Sequence, residues 1–234
     1  VDAWDSRGIF PNMSECLEHD MRSDGDRVLM LEPRFGDFSC SVVNLYRRQG
    51  LSVQITAAVF DPHYLPDTNY LYDAVIKVSS IDDVRQQTKE SYHLISTGCY
   101  LDELPIDDVI AALEKLYALL EPNGILLLPV RNCSSAYEIW NLTHVGAWET
   151  YTGVNEVRRF SGISLTKLLT VIRKHPFLQN CYAQGMTFLE EDERYVKELL
   201  PILTAHTEDD RADIENSLQY RMVFLKIFKR ESTI

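Results

Sequence analysis

The feature that most constrains this sequence is an apolar helix pattern placed between two apolar strand patterns. Residues 92–96 have the composition of a short buried strand, and residues 105–120 then carry apolar side chains at helical spacing. These apolar positions are Val109, Ile110, Leu113, Leu116, Tyr117 and Leu120. Residues 121–124, Glu-Pro-Asn-Gly, end the helix, and residues 125–130, ILLLPV, read as a fully buried strand. Strand, helix and strand in this order predict a βαβ unit and therefore a parallel sheet.

Strand and helix patterns also alternate along the rest of the chain. Further strands are predicted at residues 28–31, 53–60, 74–78, 184–188 and 222–229. Further helices are predicted at residues 39–48, 81–89, 164–174, 190–203 and 211–217. On the usual lengths of such elements, these patterns predict one α/β domain of six or seven strands.

The charge and the cysteine content argue against several classes of function. The net charge is -12, whereas a protein that binds a nucleic-acid backbone usually needs a basic face, so no nucleic-acid partner is expected. The five cysteines include no Cys-x-x-Cys pair, which argues against a zinc site or a disulfide framework and favours reduced, cytoplasmic thiols. No run of 18 apolar residues occurs, so no membrane-spanning helix is expected.

The turn after the first strand lacks most of the glycines that are typical of nucleotide-binding folds. In those folds a Gly-x-Gly-x-x-Gly turn lets the backbone approach the ligand. Here Gly36 remains, and Glu32, Pro33 and Arg34 occupy the positions before it. If the backbone needs a positive φ there, each non-glycine residue costs roughly 1–2 kcal/mol. The surroundings predict a nucleotide-type fold, and the turn itself raises the question of whether the ligand still binds.

Four short segments carry a resemblance to a known family. They are Phe60-Asp61-Pro62 after the second strand, residues 99–105 after the fourth, the Pro-x-Gly turn within residues 119–126, and residues 132–140, which are rich in serine and aromatic residues. With the order of elements, they resemble the class I S-adenosylmethionine-dependent methyltransferases, and among these the histamine N-methyltransferase-like group. The resemblance covers residues 26–145 well and the C-terminal third loosely.

The resemblance implies a fold and a domain plan. The implied fold is α/β, with a Rossmann-like, seven-stranded methyltransferase sheet that is mostly parallel and has a C-terminal antiparallel strand. Residues 1–234 would form a single methyltransferase-like domain. Residues 1–27 would be an N-terminal extension, and residues 146–221 a variable region on the substrate side.

The resemblance also implies a site for S-adenosylmethionine and for a small-molecule substrate. The implied cofactor-binding residues are Gly36, Asp37, Asp61, Ser79, Ser80 and Ile95. The carboxylate of Asp61 would accept hydrogen bonds from both ribose hydroxyls. The implied substrate-binding residues are Ser96, Tyr100, Tyr137 and Trp140. The implied activity is methyl transfer to a small molecule, with an amine nitrogen as the acceptor, no single catalytic base and no metal ion.

The substitutions in the turn leave three alternatives for the cofactor. Arg34 swings out and leaves the site usable, or its guanidinium pairs with the cofactor carboxylate, or Glu32 and Arg34 close the site. Two functions therefore stay open at this point. One is a small-molecule N-methyltransferase, and the other is a catalytically inactive methyltransferase-like domain that serves as a binding or regulatory module.

Several candidate residues also have an ordinary structural explanation. Asp61 with the proline after it is a common way to end a strand. Ser79 and Ser80 are suited to cap the helix that follows them. The three aromatic candidates suit a core as well as a pocket, and His93 lies within a predicted strand, where a structural role is the simpler interpretation.

Overall fold

The fold is described from a computed structural model of the chain. The structure describes residues 16–20, 22–33, 37–60, 69–98, 100–136, 139, 149–151, 157–159, 165–176, 180–186, 190–205, 215, 218 and 222–230.

The described chain forms nine strands and five α-helices. The strands are β1 (Asp26–Leu31), β2 (Val53–Val59), β3 (Ala74–Lys77), β4 (Tyr92–Ser96), β5 (Leu120–Arg131), β6 (Glu149–Tyr151), β7 (Val157–Arg159), β8 (Cys181–Met186) and β9 (Met222–Phe228). The helices are α1 (Asp37–Arg48), α2 (Ile81–Thr88), α3 (Ile106–Ala118), α4 (Leu165–Lys174) and α5 (Glu190–Thr204). Two 3-10 turns lie at Asn69–Leu71 and Tyr100–Glu103.

Seven of the strands form one mixed sheet in the order β3-β2-β1-β4-β5-β9-β8. Neighbouring strands from β3 to β5 pair in parallel, whereas β9 pairs antiparallel with both β5 and β8. The predicted seven-stranded sheet, mostly parallel with one antiparallel C-terminal strand, is confirmed. Because the chain leaves β1 toward β2 and later returns to its other side as β4, the direction of winding reverses between β1 and β4. In open α/β sheets this reversal point is where ligands bind, beyond the carboxyl ends of the strands.

The two faces of the sheet bury separate apolar layers. Along β1, Leu29 and Leu31 join the layer under α2, α3 and α4, whereas Val28 and Met30 join the layer under α1. All four side chains are at most 2% exposed, which explains the continuous apolar pattern of the strand. The central strands are therefore held rigidly by packing on both faces, and they fix the positions of the loops at their carboxyl ends.

The Pro-x-Gly segment, which lies within the first half of β5, requires its glycine. A Cβ atom on Gly124 would lie 2.9 Å from the carbonyl oxygen of Glu121 and 3.0 Å from that of Tyr92. Asn123 just before it adopts a left-handed conformation with φ 63°, and its N–H donates to the carbonyl of Lys229. The predicted end of the helix and start of a buried strand at this segment are thus built from long-range backbone contacts.

Most predicted elements occur within about two residues of their predicted bounds. Strand β5 begins at Leu120 rather than at residue 125, because Leu120 already pairs with Tyr92 of β4. The other exceptions lie in the C-terminal third. Strand β8 covers Cys181–Met186 rather than 184–188, and the short β6–β7 pair was not predicted. Of the helix predicted at 211–217, only residue 215 lies within the described chain, where it is helical. No helix in the described ranges is both long and apolar enough to span a bilayer.

Candidate functional site

The candidate site lies at the carboxyl ends of β1, β2 and β4. Strand β1 ends at Leu31, and its two neighbours end at Val59 and Ser96. Because these three strands are parallel and adjacent, their exits meet at one edge of the sheet. This edge includes the point of reversed winding, and Glu32 is the residue that follows β1 there.

Glu32 keeps a glycine-like backbone in the turn. Its φ is 43°, in the left-handed region, and its N–H donates to the carbonyl of Ala58 at 2.9 Å. Its side chain is turned inward, since one carboxylate oxygen accepts from the N–H of Phe60 at 2.7 Å and the residue is 9% exposed. The carboxylate therefore caps the end of β2, and the turn carries a strain of about 1–2 kcal/mol that a glycine would avoid.

Gly98, in the loop after β4, packs directly against this turn. Its φ is 51°, and a Cβ atom there would meet the carbonyl oxygen of Leu31 at 2.6 Å and that of Glu32 at 3.0 Å. Real Cβ atoms do not approach a carbonyl oxygen this closely, so only glycine fits without a shift of the backbone. The turn after β1 and the loop after β4 therefore pack backbone against backbone at the point where the winding reverses.

Two aromatic rings join the loops on either side of β1. Phe60 follows β2, and Tyr100 begins the 3-10 turn after β4. Their ring centroids are 4.3 Å apart and their planes differ by 17°, which is a stacked pair. Since β2 and β4 flank β1, the pair bridges the edge of the sheet beside the Glu32 turn. Tyr100, a predicted substrate-binding residue, therefore lies at the candidate site and packs against the core.

The two predicted residues on β4 are buried. Ile95 is 0% exposed and belongs to the apolar layer under α2, α3 and α4. Ser96 is 2% exposed at the last position of the strand, where it pairs with Met30. Ser96 thus lies at the correct edge of the sheet, whereas the side chain of Ile95 faces the core. Their predicted contacts with substrate and cofactor stay predictions.

Ser79 and Ser80 form the cap of α2. Ser80 is the N-cap residue, and its hydroxyl accepts from the N–H of Asp83, whose carboxylate accepts from the N–H of Ser80 at 3.1 Å. The hydroxyl of Ser79 donates to the same carboxylate, and this bond is the main cause that lowers the pKa of Asp83 below its usual range. The structural explanation of the two serines is confirmed, and their contact with adenine stays a prediction.

The capping box gives a testable stability effect. We expect Ser80→Ala to lower the free energy of unfolding at pH 7 by about 1 kcal/mol, because the N–H of Asp83 in the first turn loses its acceptor. The folded-state pKa of Asp83 is lowered, so its contribution is complete above about pH 4 and is lost as the pH falls through the lowered value. Urea unfolding at pH 7 and pH 3 measures both effects.

Ser91→Ala is the matched control for Ser80→Ala, since Ser91 is exposed just before β4. Equal losses of stability in the two variants at pH 7 would contradict the capping role.

Other predicted residues fall outside the part of the chain that the structure describes. They are Arg34, Gly36, Asp61, Tyr137 and Trp140, together with the side chain of Asp37. The backbone of Asp37 begins α1 directly after the turn. The roles implied for these residues stay predictions.

His93 lies at the opposite edge of the sheet from the candidate site. It is the second residue of β4, and its Nε2 atom is 3.7 Å from a carboxylate oxygen of Asp26 at the start of β1. The same carboxylate accepts from the hydroxyl of Tyr46 at 2.8 Å, and burial together with this bond raises the pKa of Tyr46. This polar group is structural, as the sequence position of His93 indicated. Among the described residues, no three Cys, His, Asp or Glu side chains come together as a metal site would need.

Comparison with known proteins identifies the fold. The sequence matches no protein-family model and no curated protein. Among solved structures, a SAM-dependent methyltransferase from Archaeoglobus fulgidus superposes with a TM-score of 0.59 at 11% identity, with 96% of each chain covered. Magnesium protoporphyrin IX methyltransferase from Synechocystis, with bound SAH, superposes with a TM-score of 0.56 at 10% identity. The match covers 94% of this chain and 81% of the other.

A third similar structure is phosphoethanolamine N-methyltransferase 2 from Haemonchus contortus in complex with S-adenosyl-L-methionine. It gives a TM-score of 0.55 at 11% identity over 94% of this chain, which spans about half (52%) of that protein. Identities this low carry the fold and not the activity. The chain therefore has the Rossmann-like fold of the class I S-adenosylmethionine-dependent methyltransferases.

Three features of the site were missed by reasoning from the sequence. They are the bond from Glu32 to Phe60, the contact of Gly98 with the turn, and the Phe60–Tyr100 stack. The glycine directly after β4 was an available signal, because an isolated glycine at a strand end often marks a close backbone approach. No local pattern predicts the other two features. Glu32 and Phe60 are 28 residues apart in the sequence, and Phe60 and Tyr100 are 40 residues apart.

Proposed function

We propose that this chain is an S-adenosylmethionine-dependent methyltransferase that acts on a small molecule at an amine nitrogen. The observation that carries the proposal is the conformation of Glu32, whose φ of 43° preserves a glycine-type turn at the point of reversed winding in a methyltransferase fold. The side chain at this position bonds to the end of β2 rather than extending away from the sheet.

One contact among the described residues and one position in the sequence support a fit to the cofactor. The contact between Gly98 and the carbonyls of Leu31 and Glu32 holds the turn at a fixed distance from β4, so the path of the backbone does not depend on a bound ligand. Asp61 follows Phe60 in the sequence, and its carboxylate would hold the ribose hydroxyls by accepting from both. Glu32, Gly36 and Asp61 would then surround the cofactor, with the ring of Tyr100 nearby.

The chemistry requires little from the protein beyond alignment. The bound cofactor supplies a methyl group that is already activated on a sulfonium sulfur, so the protein's part is to hold the acceptor in line with it. The buried strand ends keep the two loops of the site in place, which is the kind of rigidity that such alignment needs. The sequence offers no single catalytic base, and an amine that is already neutral needs none.

The choice of an amine rests on charge. The protein carries a net charge of -12, so its average field is negative. A negative field attracts a cationic amine and repels a carboxylic acid. The amine must then lose a proton before it can attack, and a site of low polarity favours its neutral form.

A transfer assay tests the acceptor class. Radiolabelled methyl transfer would be measured with histamine and phenethylamine, and with 2-phenylethanol and phenylacetate as acceptors of similar size. Transfer to the amines alone, with a rate that rises with pH, is the expected result. Transfer to the alcohol or the acid at an equal rate would contradict the amine assignment and leave the methyltransferase assignment standing.

A second candidate function is a catalytically inactive binding or regulatory module. The burial of the Glu32 carboxylate favours it, because a charged side chain at 9% exposure occupies volume where a glycine turn would leave space.

Glu32→Gly removes the side chain, and Glu32→Gln keeps its size without its charge. If the enzyme proposal is correct, the wild type and Glu32→Gly bind S-adenosylhomocysteine within about tenfold of each other, or about 1.4 kcal/mol. Binding by Glu32→Gly alone would support the inactive module.

A further inference from the structure

A second cleft lies far from the candidate site, on the α1 side of the sheet. Its volume is about 520 Å³, within the range of small-molecule pockets, and strands β8 and β9 form its base. Phe228 ends β9 and pairs with Ile125 in the middle of β5, and its N–H donates to the carbonyl of Asn180. The chain then runs toward the start of β5, since the N–H of Lys229 donates to the carbonyl of Gly124. Asn180 and Arg230 line the cleft and therefore lie toward the amino ends of the parallel strands, opposite the edge that carries Glu32.

Aromatic rings provide the apolar surface of this cleft. Phe224 is 1% exposed and belongs to the core layer under α1, so it forms a fixed base. Tyr182 is 65% exposed, which is unusual for a ring of this size, and it stands edge-on to Phe228 with centroids 5.6 Å apart. Two rings at right angles form a corner that a flat aromatic ligand can enter by stacking on one and meeting the edge of the other.

The charged side chains among the described residues that line the cleft are basic. The described residues that line it include Lys226 and Arg230 and no acidic residue, whereas the chain carries a net charge of -12. Lys226 is fixed in place, since its ammonium donates to the carboxylate of Asp20 at 3.0 Å and to the carbonyl of Cys16 at 2.6 Å. Arg230 is exposed, and its guanidinium suits a planar carboxylate.

We propose that this cleft is a peripheral binding site for a small aromatic carboxylate. The ring of the ligand lies in the corner between Tyr182 and Phe228, and its carboxylate faces Arg230. Lys226 keeps its bonds to Asp20 and Cys16, so Arg230 is the cation that pairs with the ligand. This site is separate from the proposed methyl-transfer site and does not depend on it.

Calorimetric titration with 2-naphthoate and with its neutral analogue 2-naphthalenemethanol tests the proposal on the full chain. In the wild type we expect the anion to bind about tenfold more tightly than the alcohol, because only the anion pairs with a cation. Arg230→Gln should remove this difference by weakening the anion alone, and Tyr182→Ser should weaken both ligands. Arg48→Gln, at an exposed arginine on α1, is the matched control and should change neither affinity.

Several results would overturn the proposal. They are no binding of 2-naphthoate at millimolar concentration, equal binding of the alcohol and the anion in the wild type, and equal effects of Arg230→Gln and Arg48→Gln. Tyr182 and Arg230 are both exposed, so their variants should keep the unfolding midpoint of the wild type, and this is checked first.

Discussion

Gly98→Ala is expected to lower the free energy of unfolding by about 3 kcal/mol, as the sum of a left-handed conformation forced on alanine and a backbone clash. The new Cβ atom would lie 2.6 Å from the carbonyl oxygen of Leu31 and 3.0 Å from that of Glu32. Neither oxygen can move alone, because Leu31 is a buried part of β1 and Glu32 is bonded to Ala58. The measurement is urea unfolding at pH 7, followed by circular dichroism.

Gly50→Ala is the matched control for this variant. Gly50 also has a left-handed φ, 71°, but nothing lies within 4 Å of the position that its Cβ would take. Gly50→Ala should lower the free energy of unfolding by about 1 kcal/mol, from the backbone conformation alone. The difference in unfolding free energy between the two variants measures the contact between the β4 loop and the turn. Equal losses of stability would show that this contact does not hold the site together.

Asp61→Ala is expected to weaken the binding of S-adenosylhomocysteine by about 100-fold. Two hydrogen bonds from ribose hydroxyls to one carboxylate would be lost, at about 1.5 kcal/mol or more each, which gives about 3 kcal/mol in total. The fold should persist, because the bond that holds the neighbouring Phe60 comes from Glu32 and not from Asp61. Calorimetric titration of wild type and variant measures the difference.

Two further variants sharpen the Asp61 prediction. Asp61→Asn keeps one acceptor oxygen and should lose less affinity than Asp61→Ala. Asp108→Ala removes an exposed carboxylate from the first turn of α3 and should leave the affinity unchanged. If Asp61→Ala binds as tightly as the wild type, the nucleoside lies elsewhere and the proposed site is wrong.

The periodicity of the sequence was sufficient for the parallel half of the fold. Residues 105–120 predicted α3, because a helix that packs on a sheet must repeat its apolar side chains at helical spacing. Ser80 predicted the start of α2, since its capping partner Asp83 is only three residues away. Elements whose signal lies within a few residues were found at nearly the correct bounds.

Elements with weak or distant signals were not predicted. Strands β6 and β7 have three residues each, with sequences Glu-Thr-Tyr and Val-Arg-Arg, which carry no strand pattern. In β8 the exposed Tyr182 breaks the expected alternation, so the strand was placed three residues too late at its start. For the turn after β1, the cost of a non-glycine residue could be predicted from the sequence, but the position of its side chain could not. That position depends on the N–H of Phe60, which only the sheet brings within reach of Glu32.

The most direct test of the account is calorimetric titration of the wild-type chain with S-adenosylhomocysteine, combined with its thermal unfolding midpoint. If the turn at Glu32 still accommodates the cofactor, one ligand binds per chain. A ligand concentration about 100 times the dissociation constant then adds about 2.7 kcal/mol of stability. For a chain of this size that gain raises the midpoint by about 5–10 °C. No binding heat and an unchanged midpoint at millimolar ligand would contradict the proposal that this chain is a methyltransferase.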